Sequence, residues 1–179
     1  MEPLQEPLVQ TIKEKCRVCY TCVRECPAKA IRIYNGQAEV IQERCIGCGN
    51  CFKVCTQQAK KVRSSIEKVE ILIDMGKQVV ATVAPSFAAE FNELDYRKFT
   101  GILRALGFSH VVEVAFGADL VSYHFKELVT NNPNKHYIST SCPSIVSYIE
   151  KFHPGLVRNL APIASPMIAI GRVIHEMYG

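Results

Sequence analysis

The chain has 179 residues, room for one ordinary domain or two small ones, which excludes a large multidomain enzyme. Apolar residues make up 48% and charged residues 21%, enough to bury a core and to exclude wholesale disorder. The net charge of +4 is uneven, since residues 1–68 hold 12 Lys and Arg against 7 Asp and Glu while the remainder is slightly acidic. Residues 1–6 carry two acids where the basic region of a secretory signal would stand, and no apolar stretch follows, so a cytoplasmic chain is expected. Residues 160–170 form the most apolar late stretch. Pro162, Ser165 and Pro166 interrupt it, and it falls short of the roughly 20 residues of a bilayer span, so no membrane span is expected.

Eight of the nine cysteines fall between Cys16 and Cys55, and in a reducing compartment such density reads as metal binding rather than disulfides. The first group is Cys16-x2-Cys19-x2-Cys22-x3-Cys26-Pro27, and the second is Cys45-x2-Cys48-x2-Cys51-x3-Cys55-Thr56. Every position is offset by 29 residues, and Ala30 and Ala59 coincide at the same offset, so the segment is an internal duplication. Between the halves, residues 31–41 predict two short strands around an Asn35-Gly36 turn.

Three thiolates spaced two residues apart wrap one loop around three corners of a cubane, and the fourth ligand must come from the other repeat. In the two-cluster arrangement Cys16, Cys19 and Cys22 pair with Cys55 on one [4Fe-4S] cluster, and Cys45, Cys48 and Cys51 pair with Cys26 on the other. Gly47 and Gly49 supply positive φ in the second loop, where backbone N–H groups approach sulfur. Zinc also uses Cys-x2-Cys pairs, but a tetrahedral ion has no use for three consecutive x2-spaced thiolates plus a fourth. With all eight cysteines spent as ligands, the chemistry expected is outer-sphere electron transfer, and the small core predicts an apo segment that is largely unfolded. Residues 10–63 resemble a bacterial-type two-[4Fe-4S] ferredoxin.

The basic excess sits with the cysteines and partly balances the negative charge of metal-bound thiolates. A nucleic-acid partner is not expected, because no basic run exceeds Lys60-Lys61 with Arg63 and no aromatic platform is interleaved. Arg17, Arg24, Lys29 and Lys53 are candidates for tuning potential or docking an acidic redox protein, donor or acceptor, although a solvated surface accounts for them more simply.

After Arg63 the cysteines stop. Ser64 to Glu67 reads as a capping box opening a bridging helix over 64–75, with Ile66, Val69, Leu72, Ile73 and Met75 as its apolar stripe and Gly76 at its end. A strand at 79–84, a helix near 95–106, a strand at 111–115, a helix at 117–130, a strand at 136–140 and a helix at 144–152 follow. Residues 168–178 read as a further helix. This alternation predicts a short parallel sheet with helices on its faces. The domains expected are 1–63, ferredoxin-like; 64–77, the bridging helix; and 78–179, part of an α/β domain. The fold class is therefore α+β, a ferredoxin-like two-[4Fe-4S] segment followed by a partial α/β domain. Cys142, before a helix start, reads on spacing as a low-pKa nucleophile or, more simply, as a buried core cysteine. His124 and His153 read as surface residues rather than ligands.

Val83-Ala84-Pro85-Ser86, Gly117-Ala118-Asp119-Leu120, Ser141-Cys142-Pro143, Tyr148-Ile149-Glu150 through Pro154 to Asn159-Leu160, and Ser165-Pro166 stand in the order of the iron-only ([FeFe]) hydrogenase catalytic domain. Residues 78–179 are similar to the start of that domain. In that family a ferredoxin-like segment precedes the catalytic domain and feeds electrons to its H-cluster. The resemblance implies that Cys142 is a cysteine ligand of the H-cluster's cubane half. It also places Ser141 where the family's proton-relaying cysteine stands, Phe125 and Leu128 at two relay glutamates, and Ala161 at a relay serine. Ser141 is a far poorer acid than a thiol, and the other three carry no proton. The chain stops before the motifs that bring the remaining cluster cysteines, so an H-cluster is expected only in a longer chain, and the fragment reading is preferred to a naturally shortened protein. The expectation is an electron-transfer module of an anaerobic, hydrogenase-like oxidoreductase, not catalytic by itself, whose partners are a redox protein and the remainder of a hydrogenase-like domain. An active ferredoxin-dependent hydrogenase in a longer chain, and a redox-sensing relative, are the alternatives.

Overall fold

The computed structural model describes residues 7–178; the acidic opening at 1–6 and the terminal Gly179 lie outside the described residues. The chain divides into two compact units, residues 1–64 with 142–158, and residues 65–141 with 159–179.

In the first unit the duplication is written in the backbone. Strand β1 (Val9–Thr11) pairs antiparallel with β4 (Lys60–Val62), and β2 (Ile31–Tyr34) pairs antiparallel with β3 (Gln37–Val40). The registers Val9↔Val62 and Thr11↔Lys60 become Ala38↔Ile33 and Val40↔Ile31 when each residue is moved by the repeat offset. Positive φ recurs the same way, at Val18 and Gly47, Tyr20 and Gly49, and Lys29 and Gln58. Each second member of the first two pairs is the glycine expected from sequence, whereas the first loop bends through a valine and a tyrosine. The short helices α1 (Thr21–Arg24) and α2 (Asn50–Lys53) follow these left-handed residues. The buried set is made of small residues, Ala28, Ala30, Ala38 and Ala59 with Val9, Ile31, Cys22 and Cys26. Helix α7 (Pro143–Phe152) belongs to this unit. Phe152 packs against its core beneath the Arg44 guanidinium, 5.2 Å from the ring centre, and Lys151 Nζ donates to the Cys45 carbonyl at 2.6 Å.

The second unit carries the predicted alternation. Helix α3 (Ile66–Asp74) precedes β5 (Val80–Val83); α4 (Phe87–Glu90) and α5 (Tyr96–Ala105) cross over to β6 (His110–Glu113), which runs straight into α6 (Val114–Asn131). Strands β5 and β6 are parallel, Val80 opposite His110. Asp95 caps α5 by accepting from the Arg97 N–H at 2.8 Å, and Phe99 stacks on Phe87 with ring centres 4.9 Å apart. Helix α8 (Pro166–Tyr178) lies against α6 where Gly117 meets the Pro166 carbonyl. A Cβ at Gly117 would stand 2.1 Å from that oxygen, a backbone contact no rotamer relieves. Gly117→Ala is expected to lower this unit's stability by about 1–3 kcal/mol, read as faster amide exchange in α6 and α8. Unchanged exchange would show that the two helices separate without cost.

Two expectations are corrected. The predicted strand at 136–140 is reduced to a single bridge between Ile138 and Leu160, because only Ile138 has its N–H and carbonyl facing the backbone of Asn159 and Ala161. The helix cap falls on Ser65 rather than Ser64, and the Ser65 side chain makes no capping bond. The α3 stripe is mostly exposed, Ile66, Leu72 and Met75 among it. Among the described residues no helix is long and apolar enough to cross a membrane.

Candidate iron–sulfur sites

Two small cavities of similar size lie in the first unit. Cys16, Cys19, Cys22 and Cys55 line one, with the bend through Val18 and Tyr20 and the Lys60 side chain around it. Cys45, Cys48, Cys51 and Cys26 line the other, together with Gly47 and Gly49. The loop and its αL residues bring three cysteines of each set together. The fourth arrives from the opposite repeat because the two antiparallel ladders lay the halves head to tail.

Sulfur is addressed by backbone donors. The Ala30 N–H donates to Cys26 Sγ at 3.2 Å and the Ala59 N–H to Cys55 Sγ at 3.3 Å, the same bond at the repeat offset. The Asn50 side chain donates to the Glu25 carbonyl at 2.7 Å and ties the first loop's end to the second helix. Cys19 Sγ lies 3.5 Å from Thr21 Oγ1, and hydrogen bonding from Thr21 holds that thiol below its ordinary range. Burial pushes the Cys22 and Cys51 thiols up, and the Lys60 ammonium opposes the rise at both. None of the eight is in a disulfide, and Cys19 and Cys48 are the exposed members.

These residues fit an iron–sulfur cubane. Each cavity is lined by four thiols, three from one loop and one from the other repeat, with a backbone N–H donating to the fourth sulfur, as cluster ligation requires. Among the described residues no three His, Cys, Asp or Glu side chains converge as they would around a single metal ion.

Arg17, Arg24, Lys29 and Lys53 are all exposed, in keeping with the plainer reading of them as solvated charges. Of these four only Arg17 lines a cavity, and the buried basic residue beside it there is Lys60, which sequence reasoning counted only as part of a short basic run. The signal was present in the repeat: moving Lys60 by the offset lands on Ile31, a buried strand residue beside Ala30.

In the second half of the chain, Cys142 is exposed at the N-cap of α7, which corrects the buried reading. Only Ile149 of that helix is buried, so its packed face lies away from the first turn. Ser141 beside it is exposed, Phe125 and Leu128 are half-buried, and Ala161 is buried with its carbonyl accepting from the Thr140 hydroxyl at 3.1 Å. His124 and His153 are exposed, and His124 pairs with Glu127 at 3.3 Å. Cys142 is the one cysteine outside residues 16–55, so the residues present do not fit a second, six-iron cofactor.

Comparison with known proteins follows this division. The family described as "4Fe-4S dicluster domain" matches residues 8–56, and "Iron only hydrogenase large subunit, C-terminal domain" matches residues 77–179. Among similar proteins, the cytosolic Fe-S cluster assembly factor NAR1 of Yarrowia lipolytica is 27% identical over 111 residues, covering 62% of this chain and 23% of that protein. Iron hydrogenase 1 of Clostridium pasteurianum is 30% identical over 114 residues, covering 57% of this chain and 20% of that protein. NAR1 of Debaryomyces hansenii is 24% identical over 122 residues, covering 66% and 22%. The chain thus spans between a fifth and a quarter of the length of these relatives. With more than half of its residues matched by one family and the cysteine segment by the other, the chain belongs to the family of C-terminal domains of the iron-only hydrogenase large subunit and carries a 4Fe-4S dicluster domain ahead of that region.

Proposed function

We propose that this chain is an electron-transfer module that holds two [4Fe-4S] clusters and does not itself turn over hydrogen. The observation that carries the reading is the lining of two cavities, each by three cysteines of one repeat and the fourth of the other. Cys16, Cys19, Cys22 and Cys55 hold one cluster, and Cys45, Cys48, Cys51 and Cys26 the other. A bound cluster supplies a site for one electron. The protein fixes the thiols by αL bends, aims the Ala30 and Ala59 N–H groups at ligand sulfurs, and leaves Cys19 and Cys48 toward solvent, where a redox partner approaches.

The absence of hydrogen turnover rests on Cys142 having no companion cysteine and on Ser141, Phe125, Leu128 and Ala161 at the relay positions. The second unit's parallel strands β5 and β6 have only each other as partners among the described residues, and Ile102, Leu106, Phe116 and Met167 are exposed. Parallel sheets are normally covered on both faces. The remainder of a hydrogenase-like domain is the partner that completes it, in a protein we place in the cytoplasm.

Anaerobic titration with dithionite tests the reading: about two electrons per chain are expected, one per cluster, with no hydrogen evolved from reduced methyl viologen. Fewer than one electron, or steady hydrogen evolution, would overturn it. A second reading, participation in iron–sulfur assembly, is favoured by the NAR1 relatives. Transfer of iron and sulfide from this chain to an apo-ferredoxin would select it, and retention selects electron transfer.

A further inference from the structure

We propose that Lys60 is a buried counter-charge that raises the reduction potential of the clusters, foremost the one in the cavity it lines. The inference rests on the two-cluster reading above.

Lys60 is 3% exposed, the one buried charged residue among the described residues. Its Nζ donates to Thr11 Oγ1 at 2.6 Å and lies 3.4 Å from the Ala38 carbonyl. Both partners are neutral, and no carboxylate pairs with it among the described residues. A buried ammonium is normally compensated by an opposite charge, because hydrogen bonds alone do not replace its hydration. What surrounds this one instead is cysteine: it lines the cavity of Cys16, Cys19, Cys22 and Cys55, and its field reaches Cys51 of the other set as well as Cys22. The missing counter-ion is the thiolate-bearing cluster proposed for the cavity that Lys60 lines.

The repeat shows that the charge is an insertion into an otherwise apolar position. The pair Thr11↔Lys60 on the β1–β4 ladder corresponds to Val40↔Ile31 on β2–β3. Ile31 is buried and carries no polar group, so a lysine is not needed to fill this place in the fold. Its Thr11 partner has become polar with it, and the Thr11 hydroxyl also bonds the Ala38 carbonyl, closing a small network around the ammonium.

Reduction adds one electron, and so one negative charge, to a cluster. A fixed cation in a low-dielectric site favours that form and raises the potential, and the effect falls with distance. The cluster at Cys16, Cys19, Cys22 and Cys55 feels it most.

The test is a redox titration of the intact chain with dithionite, followed by electron paramagnetic resonance, for the wild type, Lys60→Gln and Lys60→Arg. Lys60→Gln is expected to lower the midpoint of at least one couple by a factor of ten or more in the one-electron equilibrium, about 59 mV. Lys60→Arg, which keeps the charge, is expected to stay within half of that shift. Equal midpoints in Lys60→Gln and the wild type, or equal shifts in both variants, would overturn the proposal. Should Lys60→Gln fail to hold iron while Lys60→Arg holds it, the need for charge is supported; loss in both assigns Lys60 a role in packing and overturns it. A wild-type chain without clusters would instead sink the two-cluster reading itself.

Discussion

Replacing Cys55 with alanine is expected to remove one cluster and leave the other. Iron per chain should fall from about eight to about four, with a similar loss of acid-labile sulfide. The thiol lost is the one cysteine that the second repeat contributes to the cavity lined by Cys16, Cys19 and Cys22. The three remaining thiols sit on one loop, and no other cysteine or histidine lines the cavity. The change also strips the Ala59 N–H of its sulfur acceptor at 3.3 Å, so the return of β4 toward β1 loosens. The other set, Cys45, Cys48, Cys51 and Cys26, keeps all four thiols and its own Ala30 N–H bond. The reduced spectrum should change from two interacting clusters to one isolated cluster. Cys142→Ala is the control, because that thiol stands alone and its loss should leave iron unchanged. Unchanged iron in Cys55→Ala would refute the ligand sets.

Stripping iron and sulfide with acid and a chelator is expected to unfold the first unit. Its strands are three or four residues long, and its buried side chains are mainly alanines and cysteines, so little apolar area leaves water on folding. On the two-cluster proposal, each cluster is bonded to both repeats and supplies the closure that this core does not. Amide protection in β1 through β4 should fall by orders of magnitude. The α5 and α6 amides, in the second unit, should be far less affected, since their contacts, Phe87 on Phe99 and Gly117 on Pro166 among them, involve no cysteine. Persistent protection in β2 and β3 after removal of iron would show that the apo segment folds by itself.

How much of this was legible in the sequence depended on how many residues carried each signal. The eight cysteines carry the cluster proposal because ligation imposes fixed spacings, and the 29-residue offset foretold a symmetry that reaches the φ angles of Val18, Tyr20 and Lys29. The Asn35-Gly36 turn likewise fixed the β2–β3 hairpin, both residues adopting positive φ. Lys60 was missed because a strand places successive side chains on opposite sides, so Lys60 is buried while Lys61 is exposed, and the pair looked like surface charge. Residues 136–140 had strand composition, but a strand needs a neighbour, and Ile138 finds one only at Leu160. The exposed position of Cys142 followed from which face of α7 packs, something Ile149 and Phe152 decide and the local motif does not. The α3 stripe has helical spacing without burial, since spacing makes a helix amphipathic and only a packed neighbour removes its apolar face from water.

The central claim is the presence of two cubanes on eight cysteines. It is tested most directly by iron and acid-labile sulfide per chain after anaerobic purification, with electron paramagnetic resonance of the dithionite-reduced protein. The account predicts about eight irons and eight sulfides, and a spectrum of two interacting reduced [4Fe-4S] clusters. Zinc in place of iron, with no sulfide, would contradict it.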